Sequence, residues 1–251
     1  MHIGLLVTNT DRSAFAARHP CDAEKFRTLI AAVRPDWRMT AFDLPFGEFP
    51  EETQQFDGFL IGGSPASVHD DAPWIARLFG LIRDAQAGSL PLVGVCFGHQ
   101  AIAMALGGRV GPNPGPFVLG AAETEVVAVP DWMIGAQSFR LAAAHGEQVM
   151  DLPAGAEVIG SSPGCPVAAY RIGKTVFSTQ YHPEMTPEFA AALVGELAPM
   201  FPGPVGAVGR ASLQGGIEGP RFAEWIARFL EQANSARPAQ DRAAIRSIAV
   251  T

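Results

Sequence analysis

The feature that most constrains this chain is a cysteine with glycine two residues to either side, Gly94-Val95-Cys96-Phe97-Gly98. It closes a short apolar run, Pro91 to Val95, and opens a helical pattern, Gln100 to Leu106, that ends at Gly107-Gly108. A nucleophile on so tight a strand-to-helix turn takes strained backbone angles, and its neighbours two residues away must be small. A helix starting near Gly98 aims free N–H groups and its positive dipole end at the sulfur. That favours the thiolate, which is the attacking form. The Phe97 N–H is placed to stabilise a tetrahedral oxyanion. A lone G-x-C-x-G can also mark a buried apolar cysteine with room to pack. The strand, the helix and the partners below weigh against that.

The surrounding pattern alternates strand and helix. Strand signals fall at His2–Val7, Trp37–Phe42 and Phe56–Ile61, and helical spacing at Ala23–Val33 and Ala72–Ala85. This predicts an α/β fold with a mostly parallel central sheet flanked by helices, the flavodoxin-like arrangement. Residues 111 to 117 read as a rigid Gly/Pro loop. Short β runs then dominate to Tyr181: Thr124–Val129, Phe139–Ala143, Glu157–Ser161, Val167–Tyr170 and Thr175–Thr179. They predict an added antiparallel portion in the same domain. Helices return at Pro187–Leu197 and Pro220–Gln232, with residues 201 to 219 expected as a loop. One domain over residues 1–235 is expected, followed by a tail, 236–251, that is a frayed helix or disordered.

Charge and composition exclude several classes. Of 251 residues 48% are apolar, enough for a sizeable core, and the net charge of −7 comes without any Lys/Arg run. Nucleic acid therefore has no electrostatic footprint to meet, and an anionic membrane surface would repel the chain. No apolar stretch approaches the ~20 residues needed to span a bilayer. The N-terminal run reads as a first strand and not a signal peptide. Cys21, Cys96 and Cys165 show no metal spacing, so reduced thiols in a cytoplasm are expected, with no metal and no cofactor. His69-Asp70-Asp71 reads as a helix start, the acids capping and Pro73 in the first turn.

The thiolate needs an acid–base partner. His182, in Gln180-Tyr181-His182-Pro183-Glu184, follows the β run at Thr175–Thr179 and should lie at a strand's carboxyl end. Pro183 biases it to an extended backbone, and Glu184 can turn back to fix its tautomer and stabilise the imidazolium. His99 lies too close to Cys96 in sequence to be the base and should pack near the elbow.

These residues together resemble the class I, triad-type glutamine amidotransferases. Gly94 to Gln100 is similar to that family's G-x-C-x-G-x-Q elbow, and His182-Pro183-Glu184 to its H-P-E. Gly62-Gly63-Ser64-Pro65 resembles its glycine-rich oxyanion loop. His145-Gly146-Glu147-Gln148-Val149 resembles the H-x-D-x-V segment of stand-alone, GMP-synthase-like members, with Glu147 in place of Asp. The four segments occur in family order within about residues 1 to 190. The resemblance implies hydrolysis of a γ-glutamyl amide through a thioester on Cys96, with His182 and Glu184 completing the catalytic triad. It also implies an oxyanion hole from Gly63 and Phe97, and substrate contacts from Gly62, Gln100, His145 and Gln148. The ligand would be glutamine or a γ-glutamyl compound, and the ammonia released would pass to a synthase partner protein. A self-sufficient γ-glutamyl peptidase is the alternative within the same chemistry, and a non-catalytic binding module the alternative outside it.

Overall fold

The computed structural model describes residues 1–135, 137–201 and 203–237. Of the expected tail only Ala236, which ends a helix, and the buried Arg237 fall within that range. The remainder lies outside the described residues.

The first half alternates as the sequence predicts: β1 (His2–Val7), α1 (Asp22–Ala31), β2 (Arg38–Asp43), β3 (Gly58–Ile61), α2 (Pro73–Ala87), β4 (Leu92–Val95) and α3 (Phe97–Ala105). The second half adds β5 (Arg109–Pro112), β6 (Val118–Val126), β7 (Ser138–His145), β8 (Glu147–Asp151), β9 (Ala156–Ser162), β10 (Cys165–Ile172) and β11 (Val176–Thr179). The helices α4 (Pro187–Leu197), α5 (Val205–Ser212) and α6 (Gly219–Ala236) follow.

One sheet runs in the order β2-β1-β3-β4-β11-β10-β9-β6-β7. Its first five strands are parallel. The last four extend it antiparallel. The expected antiparallel portion is thus a continuation of the parallel sheet, with β5 and β8 as a separate antiparallel pair. β3, β4 and β11 are buried along their whole lengths. That is why Phe-Leu-Ile and Leu-Val-Gly-Val read as unbroken apolar runs: helices cover both faces of a parallel sheet.

The two faces carry two cores. On one, α1 and α6 pack Phe26, Ile30, Phe222, Trp225 and Phe229 against the sheet. Phe177 of β11 anchors this side, its ring 4.3 Å from Trp132 and 5.2 Å from Phe222, centroid to centroid. On the other, α2 and α3 contribute Ile75, Leu78, Ile82, Phe97 and Ile102. Each fully buried side chain of this size contributes roughly 1.5–3 kcal/mol.

Three expectations fail for local reasons. Residues 201 to 219 are not all loop, because α5 occupies Val205–Ser212. Its glycines look like breakers but serve close packing: a Cβ on Gly206 would collide with Ala198 Cβ, and one on Gly209 would lie 2.9 Å from Leu119 O. The Gly/Pro stretch after Gly108 begins as strand β5, with Gly111 opposite Gln148 and Pro112 opposite Glu147. In so short a pair the missing proline donor is tolerated. Finally, Ala72 is the N-cap of α2, with no side-chain cap. The Asp70 carboxylate accepts from the Ser67 N–H at 3.0 Å instead.

Candidate active site

Three adjacent parallel strands, β3, β4 and β11, end side by side, and each delivers one predicted segment there. β3 runs into Gly62-Gly63, β4 into Cys96, and β11 into Gln180–Glu184. Ligand sites of open α/β sheets form at such carboxyl ends.

The elbow is as strained as the motif implies. Cys96 has φ +51° and ψ −103°, outside the regions an L-residue occupies comfortably. A Cβ on Gly94 would lie 2.8 Å from the Gly98 carbonyl, and one on Gly98 would collide with the Ile61 carbonyl. Both glycines are therefore steric requirements. The Cys96 N–H donates to Thr179 O at 2.9 Å, the Gln100 N–H to Cys96 O at 3.0 Å, and the Gly98 N–H to Gly62 O at 3.0 Å. These bonds tie the elbow to both neighbouring strand ends. Phe97 is the first residue of α3, so its N–H has no partner within the helix.

His182 donates its backbone N–H to Ala142 O at 2.8 Å, which docks it against β7. Its Nδ1 lies 2.7 Å from Glu184 Oε1, with both side chains almost completely buried. Burial opposes an imidazolium here, but the charges of Glu184 and Cys96 outweigh it and raise the His182 pKa well above the ordinary value. A Cβ placed on Gly63 would lie 2.7 Å from His182 Cε1 and 3.6 Å from Cys96 Cβ. Glycine, imidazole and thiol thus converge on one point.

Gly63, Cys96, His182 and Glu184 all line a cleft of about 580 Å³. The other expected contacts sit behind it. Gln100 donates Nε2 to Glu147 O at 2.8 Å. His145 Nδ1 lies 3.0 Å from the same carbonyl. Gln148 is buried on β8, and Gly62 has its carbonyl engaged by Gly98. His145 Nε2 and Gln148 Oε1 are buried with no partner among the described residues. Burial, helped by the charge of His182, lowers the His145 pKa to about 4 although the Glu147 carbonyl opposes the shift. His99 Nδ1 lies 2.9 Å from Ser178 Oγ under the Tyr170 ring, and burial lowers its pKa to about 3. It packs beneath the elbow, as its sequence position suggests.

Sequence reasoning missed two residues. Gln180 Nε2 lies 3.6 Å from Cys96 Sγ, and Gln180 Oε1 accepts from Gln100 Nε2 at 3.2 Å. Its spacing of two from His182 was the available signal, since alternate residues of an extended chain face one way. Thr8, just beyond β1, bonds the glycine loop, and nothing in its sequence context marks it. A thiol beside a charged imidazole with a carboxylate behind it, at the start of a helix whose first N–H has no partner within the helix, has the parts that acyl transfer uses.

Comparison with known proteins identifies the family and the fold. The glutamine amidotransferase class-I family model matches residues 33–193. Gamma-glutamyl peptidase 4 of Arabidopsis thaliana is 34% identical over 167 residues, 63% of this chain and 66% of the peptidase. Gamma-glutamyl peptidase 3 of the same plant is 29% identical over 61% of this chain and 66% of its own length. A glutamine-hydrolysing GMP synthase of Aeropyrum pernix is 35% identical over 51% of this chain, which spans 24% of the synthase. Among solved structures, a glutamine amidotransferase from Thermotoga maritima superposes with a TM-score of 0.73 at 17% identity, covering 93% of this chain and 98% of that one. No helix among the described residues is long and apolar enough to cross a membrane. By its motifs in order, its fold and the family match over most of its length, the chain belongs to the class I glutamine amidotransferases, a family of hydrolytic enzymes.

Proposed function

We propose that the protein hydrolyses γ-glutamyl amides through a thioester on Cys96. The observation that carries this is the convergence of Cys96, His182 and Gly63 at one end of the cleft, with Glu184 behind the imidazole. The Cys96 thiolate attacks the γ-carbonyl carbon, forming a C–S bond and moving an electron pair onto the oxygen. The Gly63 and Phe97 N–H groups stabilise that oxyanion. On collapse the C–N bond breaks, and the His182 imidazolium gives its proton to the leaving nitrogen. Water, deprotonated by His182, then attacks the thioester and releases glutamate. Glu184 holds the imidazole and offsets its charge. The glutamyl amino-acid end points toward the residues behind the cleft, where His145 Nε2 and Gln148 Oε1 have no partner among the described residues and Gln100 and Gly62 fix the backbone. With glutamine as substrate the product is ammonia, passed to a synthase partner.

A second reading, hydrolysis of γ-glutamyl peptides without a partner, has its own support. The cleft extends past the elbow along Phe15, Phe189, Leu193 and Leu197. Lys25 stands on its wall, 3.0 Å from Asp22 and 3.6 Å above the Phe189 ring. Ammonia needs no such wall, whereas an amino-acid leaving group does, and the volume is in the range that holds drug-sized ligands. Hydrolysis rates for glutamine and a panel of γ-glutamyl dipeptides separate the two. Slow turnover of glutamine alone supports the first, and fast dipeptide turnover the second. A glutamine-like diazo-ketone should add its mass to the Cys96 peptide under both, and an unmodified Cys96 after full exposure refutes both.

A further inference from the structure

Gly63 sits where no side chain fits, because a Cβ would meet the His182 ring. Glycine is also the residue whose backbone rotates most freely. That freedom is a liability at a position whose N–H must point at the oxyanion before charge develops there.

Thr8 counters it. It follows β1, the sheet neighbour of β3, and is fully buried. Its hydroxyl lies 3.1 Å from Gly62 O and 2.9 Å from Gly63 O, one proton shared between two carbonyls. Those carbonyls belong to the two peptide planes that flank the Gly63 Cα. The Gly62 carbonyl also accepts from the Gly98 N–H on the elbow helix. A trans peptide is planar, with its C=O and N–H opposed, so fixing the Gly62 carbonyl fixes the direction of the Gly63 N–H. Val7 and Asn9 line the cleft, but Thr8 does not.

We infer that Thr8 is a positioning residue for the oxyanion hole: its hydroxyl locks both peptide planes around Gly63 so that the Gly63 N–H meets the developing negative charge without reorganisation. This rests on the γ-glutamyl hydrolysis proposed above. Removing an oxyanion donor outright costs about 10²–10³ in kcat, so loosening one should cost about tenfold.

The test uses Thr8→Val, which keeps the shape and loses the hydroxyl, and Thr8→Ser, which keeps the hydroxyl. Thr8→Val should lower kcat about tenfold at unchanged KM. It should weaken binding of a γ-glutamyl aldehyde, which forms a tetrahedral adduct with Cys96, by the same factor. Alkylation of Cys96 by iodoacetamide forms no oxyanion and should keep its rate. Thr8→Ser should restore kcat. If Thr8→Val is insoluble, Thr8→Ala gives the same readouts. Wild-type kcat and aldehyde affinity in a Thr8→Val protein would overturn the inference. So would an alkylation rate that falls in step with kcat, the signature of a merely structural role. A wild-type protein that hydrolyses no γ-glutamyl amide refutes the proposed function first, and this inference with it.

Discussion

Replacing Cys96 with glycine should stabilise the protein relative to Cys96→Ala while both variants lose activity. Cys96 sits at φ +51°, ψ −103°. A residue held in a sparsely populated region costs of order 1–3 kcal/mol, and a ψ this far from the left-handed helical well puts Cys96 in the upper half of that range. Alanine keeps the Cβ and so keeps the strain, whereas glycine releases it. Against the release stand roughly 0.4–1 kcal/mol for the freer unfolded chain and about 0.8 kcal/mol for the lost buried methyl. The balance favours Cys96→Gly by about 1 kcal/mol. At an unstrained buried position the same two losses would disfavour glycine by about 1.5 kcal/mol, so the two cases differ in sign. Urea unfolding of both variants at equal m-value measures the difference. In a calorimeter it should appear as roughly 2–4 °C in Tm for a domain of this size. An alanine variant more stable than the glycine variant would refute the claim that the elbow stores strain.

The remaining predictions concern charge and the cleft. Burial lowers the folded-state pKa of His99 to about 3 and of His145 to about 4, so the unfolded chain takes up protons first as pH falls below 6.5. Stability is therefore present above 6.5 and should decline by about 1.4 kcal/mol per pH unit for each group between pH 6 and 5. Urea midpoints should show this, and His99→Gln should halve the slope. The raised His182 pKa adds nothing to that slope, because its stabilisation is fully present below 6.5 and is lost only as pH rises through the folded-state value. Glu184→Gln removes a charge that raises the His182 pKa, so the alkaline limb of kcat/KM should move to lower pH and kcat should fall; an unmoved limb counts against the pairing. Lys25→Met should raise KM for γ-glutamyl dipeptides with a free carboxylate several-fold and leave the glutamine KM unchanged. Equal effects on both substrates would remove Lys25 from leaving-group recognition.

The parallel half of the fold was readable because its signals are local and mutually consistent. An apolar run such as Leu92–Val95, then a glycine-flanked turn, then helical spacing admits few arrangements. Helix α5 and strand β5 were not readable, for one shared reason. Their glycines and prolines, Gly206, Gly209, Gly111 and Pro112, punctuate chains in most contexts. Here tertiary packing sets them: Gly209 is small because Leu119 O lies where its Cβ would be, and Pro112 lies in a two-stranded pair that forgives a missing donor. A property decided by a neighbour 90 residues away leaves no periodicity in the segment itself.

The site divides along the same line. The convergence of Cys96, His182 and Glu184 was legible because each stands in a short motif directly after an apolar strand pattern, and the motif supplies both residue and direction. The direction of Gln100, His145 and Gln148 was not legible. Polar residues near a strand end can face the cleft or the interior, and sequence spacing does not separate the two. In the fold these three turn inward, where Gln100 and His145 meet at the Glu147 carbonyl. The glycine loop reaches the same residue, because Ser67 Oγ donates to Glu147 Oε2 at 2.8 Å. Three chain-distant segments, at Ser67, Gln100 and His145–Glu147, are thereby bonded into one frame around the elbow. The elbow's strain requires such a frame, since an outlier backbone persists only where its surroundings over-determine it. The polar residues behind Cys96 and the hydroxyl of Thr8 therefore answer one physical demand: the catalytic geometry has to be built before the substrate arrives.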